Sequence, residues 1–293
     1  MAQPNFFILG APKCGTTSLW RALRDHPDVY MAEPKEPRFF DLNYARGVAH
    51  YLADHFGGHR GERAVGEASP MYLSLPYVPE RLQRHFPDAR LIALVRDPVE
   101  RAHSAWWMHH SAGREDLSFP QAVEENLERI RAGVRFEGPA GEYLWRRNAE
   151  WIARHGKLLF RTYVDAGYYA EGISRYLALF PRDRLLVLRF EDLVRRGTAS
   201  LRIVCGFLGV EPEPEASVPH GNPSLGRGWP AFAKRWGRNV ASLLPDSASR
   251  GLQAAAARLS TGRPPVEPET RSKLEEHYAG HNDLPAAVIT RVE

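Results

Sequence analysis

The sequence predicts an α/β domain: a parallel sheet flanked by helices on both faces. Three observations predict it. Short apolar runs at 6–9, 91–95 and 185–189 show no polar alternation, as expected of strands buried on both faces. Segments with helical periodicity separate them, so strands and helices alternate along the chain. The first run, Phe6 to Leu9, leads through Gly10, Pro12 and Gly15 into Thr16-Thr17-Ser18 and the apolar stripe Leu19, Trp20 and Leu23. Strand, glycine turn and helix start together aim backbone N–H groups and a positive helix end at an anion.

That turn carries the chemistry. The common nucleotide loop places lysine after its second glycine. Here Lys13 precedes Gly15 and Thr16 follows it, so the expected phosphate cradle has a relocated lysine. The sheet is therefore expected to be P-loop-NTPase-like. The first helix fades at Asp25-His26-Pro27, and Val29 to Met31 reads as a short strand. The stretch Glu33 to Asp41 is broken by Pro34 and Pro37, which fix the backbone without regular structure. It holds Glu36, a carboxylate able to take a proton from a hydroxyl, with Glu33 as the second choice. A short helix with Tyr51 and Phe56 as packers falls within 43–63, and 64–66 reads as a strand. Glu67 and Tyr72 beyond it serve either the pocket or strand-end packing.

Residues 78–86 are helical by pattern. After the strand 91–95, Arg96 stands at the strand end, Asp97 is placed to cap a helix from Pro98, and Ser104 lies two turns in. An arginine fork suits a phosphate. Trp106 and Trp107 read as core or pocket wall. His109 and His110 point different ways on a helix and lack the companions of a metal site. Helices are expected over 119–130 and 142–155, with the glycine-rich 131–141 as a mobile loop between them. Tyr168 and Tyr169 before the next helix either line an acceptor site or pack it. The strand 185–189 is followed by Phe190 to Leu193 and a helix over 199–208. Residues 211–230 are Pro- and Gly-rich and read as a lid, and helices are expected near 249–259 and 268–278. With no internal repeat, residues 1–293 form one domain.

Pro12-Lys13-Cys14-Gly15-Thr16-Thr17-Ser18-Leu19 resembles the 5′-phosphosulfate loop of sulfotransferases that use 3′-phosphoadenosine-5′-phosphosulfate (PAPS). The segment Leu91 to Ser104 is similar to their 3′-phosphate motif. The resemblance is nearly end to end, and strongest to the branch holding heparan sulfate and tyrosylprotein sulfotransferases and many bacterial enzymes. It implies a single sulfotransferase domain that moves the sulfuryl group of PAPS to a hydroxyl of a small-molecule or carbohydrate acceptor, releasing PAP. Phenol sulfation is the alternative, and an ATP-dependent kinase the less favoured rival. The resemblance gives Lys13 and Glu36 catalytic roles, Glu36 through its spacing from Phe39-Phe40. Lys13, Cys14, Gly15, Thr16, Thr17, Ser18, Arg96, Ser104 and, in the lid, Arg227 would hold the nucleotide, without a metal. Ala68 stands where 3-O-type heparan sulfate enzymes have lysine, a departure that weighs against a sulfated polysaccharide acceptor.

Composition bounds the rest. The chain has 293 residues, 43% hydrophobic and 25% charged, as ordinary soluble domains are. A net charge of +4 suits anionic ligands but gives no basic tract for nucleic acid. No apolar run reaches membrane-spanning length. The first strand begins too early to leave room for a signal peptide, and the two cysteines, Cys14 and Cys205, fit a reducing compartment. A cytoplasmic location is expected. The excess of arginine over lysine hints at a GC-rich bacterial source, and homo-oligomer formation stays open.

Overall fold

The computed structural model describes residues 3–213, 218, 262–283 and 288–292. The expected lid, apart from its first few residues and Val218, and the helix expected near 249–259 lie outside the described residues, as does Arg227.

Five strands, β1 (Phe6–Gly10), β2 (Val29–Met31), β3 (Ala64–Ala68), β4 (Arg90–Val95) and β5 (Leu185–Arg189), form one parallel sheet in the order β2-β3-β1-β4-β5. β1, β3 and β4 are buried almost throughout, which accounts for the unbroken apolar runs of β1 and β4, while β3 extends past the expected 64–66 to Ala68 and buries Glu67. The chain leaves β1 toward β2 and β3 on one side and then crosses to β4 and β5 on the other. Carboxyl ends of strands at such a reversal are where open α/β sheets bind ligands.

Helix α1 (Thr16–Arg24) follows β1, and α2 (Val48–Phe56) and α3 (Val78–His85) flank β3. Helix α4 (Pro98–Ser111) follows β4, with Pro98 in its first turn and the Asp97 carboxylate accepting the Glu100 N–H at 2.8 Å, as its sequence predicts. Helices α5 (Phe119–Arg131), α6 (Gly138–His155) and α7 (Tyr169–Leu177) come next. Then α8 (Phe190–Arg195) and α9 (Gly197–Leu208) follow β5, and α10 (Pro268–Ala279) packs on α4. The largest core cluster surrounds the sheet, and a second joins α4, α5 and α10 through Trp106, Trp107, Phe119, Leu274 and Tyr278. The two tryptophans are thus core residues.

Two expectations are corrected. The glycine-rich stretch 131–141 is not a loop throughout, because α6 starts at Gly138 with Pro139 in its first turn. Gly141 belongs to that helix because a Cβ there would strike the Phe136 backbone. The stretch beyond Pro37 is not wholly irregular, because Phe39–Asn43 forms a π-turn that buries both phenylalanines.

The end of β1 is where the sheet meets the loops. Leu73 N–H donates to Leu9 O at 2.8 Å, and Ala11 N–H to Leu94 O at 2.7 Å. Gly10 has φ 132°, a conformation open to glycine, and a Cβ there would overlap the Pro70 carbonyl. Gly10→Ala should therefore destabilise the fold by about 1–3 kcal/mol, the usual cost of overpacking, seen as a lowered Tm in thermal denaturation.

Candidate active site

The turn from Gly10 to Gly15 floors a cleft of about 630 Å³ at the carboxyl end of the sheet. Pro12, Lys13, Gly15, Thr16, Thr17 and Ser18 line one part of it. The first intrahelical bond of α1 is Leu19 N–H to Gly15 O at 3.0 Å, so the N–H groups of Thr16, Thr17 and Ser18 have no acceptor within the helix. Gly15 has φ 89°, and a Cβ on it would press on Leu193 and Phe190 at 2.9 and 3.0 Å. Glycine is required there because α8 closes that side of the turn.

Lys13 forms no ion pair among the described residues, and its ammonium lies 3.8 Å from the Met108 sulfur. Burial, then the positive charges of Arg96 and Arg263, holds its pKa below the ordinary lysine value. The Arg96 guanidinium donates to Lys13 O at 3.3 Å and lies over the Phe190 ring at 4.6 Å. Ser104, two turns along α4, lines the same cleft. Glu36 reaches the cleft from the opposite side, with Arg38, Pro70 and Met71. Its carboxylate accepts from Lys35 Nζ at 2.6 Å in a partly exposed pair.

The structure thus brings Lys13, Gly15, Thr16, Thr17, Ser18, Glu36, Arg96 and Ser104 to one cleft, while Cys14 departs from that set. The Cys14 thiol is fully buried behind the turn, 3.8 Å from the Tyr169 hydroxyl, and burial raises its pKa to about 11. Tyr168 and Tyr169 pack the helix end, where Tyr168 OH meets His277 Nε2 at 2.7 Å.

Arg101 in the cleft lining, and two arginines that bind Glu100 beside it, carry no signal in the sequence pattern. Arg263, just before α10, bonds Glu100 at 3.2 Å and lowers the pKa of both Lys13 and His103. Arg271 binds the same Glu100 carboxylate. Arg101 is buried, makes no ion pair among the described residues, and donates to Tyr163 O while its Nε has no partner. The Gly262-Arg263 pair ahead of a Pro-started helix is the one sequence cue for this group.

Three non-glycine residues have positive φ among the described residues: Lys13 (70°), Glu36 (66°) and Arg38 (56°). All three line this cleft. Such conformations persist only where the surroundings impose them, and they gather at functional sites.

The fold and the cleft together define a member of the sulfotransferase class. The model of the sulfotransferase domain family matches residues 3–220, and the chain belongs to that family. It is 28% identical over 95% of its length to the mouse bifunctional heparan sulfate N-deacetylase/N-sulfotransferase 3, of which it spans only 29%. It is 31% identical over 71% of its length to mouse heparan sulfate glucosamine 3-O-sulfotransferase 3B1, covering 46% of that protein. Among solved structures, the sulfotransferase from Alicyclobacillus acidocaldarius aligns with a TM-score of 0.60 and 34% identity, covering 85% of this chain and all of that one. Mouse sulfotransferase SULT7A1, solved with PAP, shares the fold at 11% identity and a TM-score of 0.51. No helix among the described residues is long and apolar enough to cross a membrane.

Glu67, fully buried in β3, has its pKa raised to about 7 by burial, opposed by hydrogen bonds from Ser69, Tyr51 and Tyr72. A carboxyl group whose folded pKa lies above its unfolded value of about 4.5 stabilises in full below pH 4.5 and loses that contribution as pH rises through about 7. Glu67→Gln should remove this loss. Between pH 5 and pH 8 the Tm of the wild type should fall more than that of the variant, measured by thermal denaturation in matched buffers.

Proposed function

We propose that this chain transfers the sulfuryl group of PAPS to a hydroxyl of a small-molecule or carbohydrate acceptor, giving a sulfate ester and PAP. One observation carries the reading: an anion cradle, an uncompensated lysine and a carboxylate from the opposite wall meet in one cleft. The residues present fit the nucleotide. The open N–H groups of α1 and the Thr16, Thr17 and Ser18 hydroxyls suit its 5′-phosphate. Arg96 and Ser104, with Arg263 beside them, suit the 3′-phosphate.

PAPS supplies an activated sulfuryl group whose bond to the phosphate oxygen breaks as a new sulfur–oxygen bond forms to the acceptor. The residues align and neutralise, as in phosphoryl transfer. Lys13 stabilises the negative charge that grows on the departing phosphate oxygen. Its pKa is lowered first by burial and then by the neighbouring cations Arg96 and Arg263, and an anion bound there would offset the second effect. Glu36 takes the acceptor's proton. Its pairing with Lys35 is partly exposed and of the kind worth about 0–1 kcal/mol, so an entering hydroxyl displaces it at small cost.

An ATP-dependent kinase is disfavoured because Thr16 stands where that loop needs lysine. Phenol sulfation is the second reading of the acceptor. The acceptor wall supports it, since Trp145, Ile152, Leu158 and Met71 are apolar.

PAP should bind in the micromolar range or tighter by calorimetry, and Arg96→Ala should weaken it about 10- to 100-fold, the scale of a lost charge-assisted bond. Turnover is read as PAP release from PAPS with N-acetylglucosamine, octanol or 2-naphthol as acceptor. Lys13→Ala should lower kcat by roughly 10²–10³-fold, as deletion of a preorganised charge stabiliser does. Glu36→Gln should lower kcat by roughly 10²–10⁴-fold while PAP affinity holds. Normal turnover in either variant removes the role assigned to that residue.

A further inference from the structure

Glu67 takes no part in the mechanism above, yet it is a fully buried carboxylate next to the loop that carries Glu36. No cation pairs with it among the described residues. Three hydroxyls donate to it instead: Tyr51 at 2.8 Å and Tyr72 at 3.1 Å to Oε1, and Ser69 at 2.6 Å to Oε2. Two of these hydroxyl oxygens are acceptors in their turn. Ser69 Oγ accepts the Arg38 N–H at 3.3 Å, and Tyr72 Oη accepts the Phe40 N–H at 3.2 Å.

A hydroxyl has one hydrogen and two lone pairs. With the hydrogen committed to the carboxylate, the lone pairs of Ser69 and Tyr72 face the loop. One carboxylate thereby orients two of the acceptors that tie down the 36–41 stretch, which Arg81 to Phe40 O and Trp145 to Asp41 secure further along. That stretch needs outside support, because Glu36 and Arg38 both hold left-handed conformations that cost roughly 1–3 kcal/mol each in a non-glycine residue. The nucleotide cradle lies on β1 and α1 and uses none of these bonds.

We propose that Glu67 is a positioning residue for sulfuryl transfer: through Ser69 and Tyr72 it fixes Arg38 and Phe40, and so holds Glu36 at the cleft. The inference rests on the reading of Glu36 as the base. In Glu67→Gln the shape is kept, but an amide N–H₂ replaces one acceptor oxygen. It competes for the hydroxyl lone pairs that hold the loop. A displacement of about 1 Å at a reacting group costs on the order of 10²-fold in rate.

The test is a double-mutant cycle of Glu67→Gln and Glu36→Gln, with kcat from PAP release using the best acceptor of the three above, and PAP affinity from calorimetry. The expected result is a kcat loss of about 10- to 100-fold in Glu67→Gln with PAP affinity within about twofold of wild type, and a double variant no slower than Glu36→Gln alone. A purely structural role would instead lower Tm and PAP affinity, or multiply with the Glu36 loss, and either result overturns the proposal. Normal turnover in Glu36→Gln overturns the base assignment itself, and this inference with it. Should Glu67→Gln fail to fold, Ser69→Ala cuts one of the two ties. A folded Ser69→Ala protein with reduced kcat and unchanged PAP affinity supports the proposal, and one with wild-type kcat overturns it.

Discussion

The backbone of the turn between β1 and α1 must pass between two walls with no room for a side chain. On one side the Pro70 carbonyl sits against Gly10, and on the other Phe190 and Leu193 sit against Gly15. The first wall is the segment after β3, which pairs with β1, and the second is the segment after β5, one strand beyond β4. The sheet order puts β3 on one flank of β1 and β4, then β5, on the other. That order divides the cleft. Residues after β2 and β3, with Glu36, Pro70 and Met71, form one half, while Arg96 and Phe190 after β4 and β5 form the other. Lys13 stands at the junction, where a leaving phosphate oxygen would lie between donor and acceptor.

The charge distribution follows the same division. The β4 half gathers Arg96, Arg263 and Arg271 around the Glu100 carboxylate, with Glu275 also reaching Arg271 at 3.6 Å, and buried Arg101 lines the cleft beside them. Cations brought together without matching anions repel, and the lowered pKa of Lys13 records that repulsion alongside its burial. A bisphosphorylated nucleotide of the kind proposed would supply negative charge there and would stabilise the folded chain on binding. The other half stores strain of another kind. Glu36 and Arg38 have unfavourable left-handed backbone conformations, and their loop is tied down by Arg38 to Asp41 at 2.5 Å and Trp145 to Asp41 at 3.1 Å.

Strands and caps were legible in the sequence because they depend on local pattern. The unbroken apolar runs gave β1, β4 and β5, and Asp97-Pro98 gave the start of α4. The phosphate turn was legible because glycine spacing answers to backbone geometry. The start of α6 was not, because Gly138 and Gly141 looked like loop residues, whereas Gly141 is demanded by contact with Phe136. The pairing of Arg263 with Glu100 joins residues 163 positions apart, and no periodicity announces it. The inward direction of the Cys14 thiol was equally hidden, since a turn residue faces in or out according to φ and ψ that the sequence does not print. Glu67 was legible only as a residue beyond the strand 64–66, whereas β3 runs on to Ala68 and three hydroxyls satisfy the buried carboxylate.

The same physics explains why the acceptor is harder to read than the nucleotide. Phosphates are recognised by features that constrain the backbone: a helix start, glycines without room for a Cβ, an arginine at a strand end. An acceptor hydroxyl asks only for a carboxylate in reach and a wall of suitable shape. On the proposed reading that wall would come from α4, α6 and the segment before α7, through Met108, Trp145, Ile152, Leu158 and Tyr163. These side chains project from elements whose own sequences are set by packing. Substitution on α6 would therefore reshape the proposed wall without altering the turn between β1 and α1. This separation of a constrained half from a permissive one lets one fold serve relatives that differ in what they sulfate.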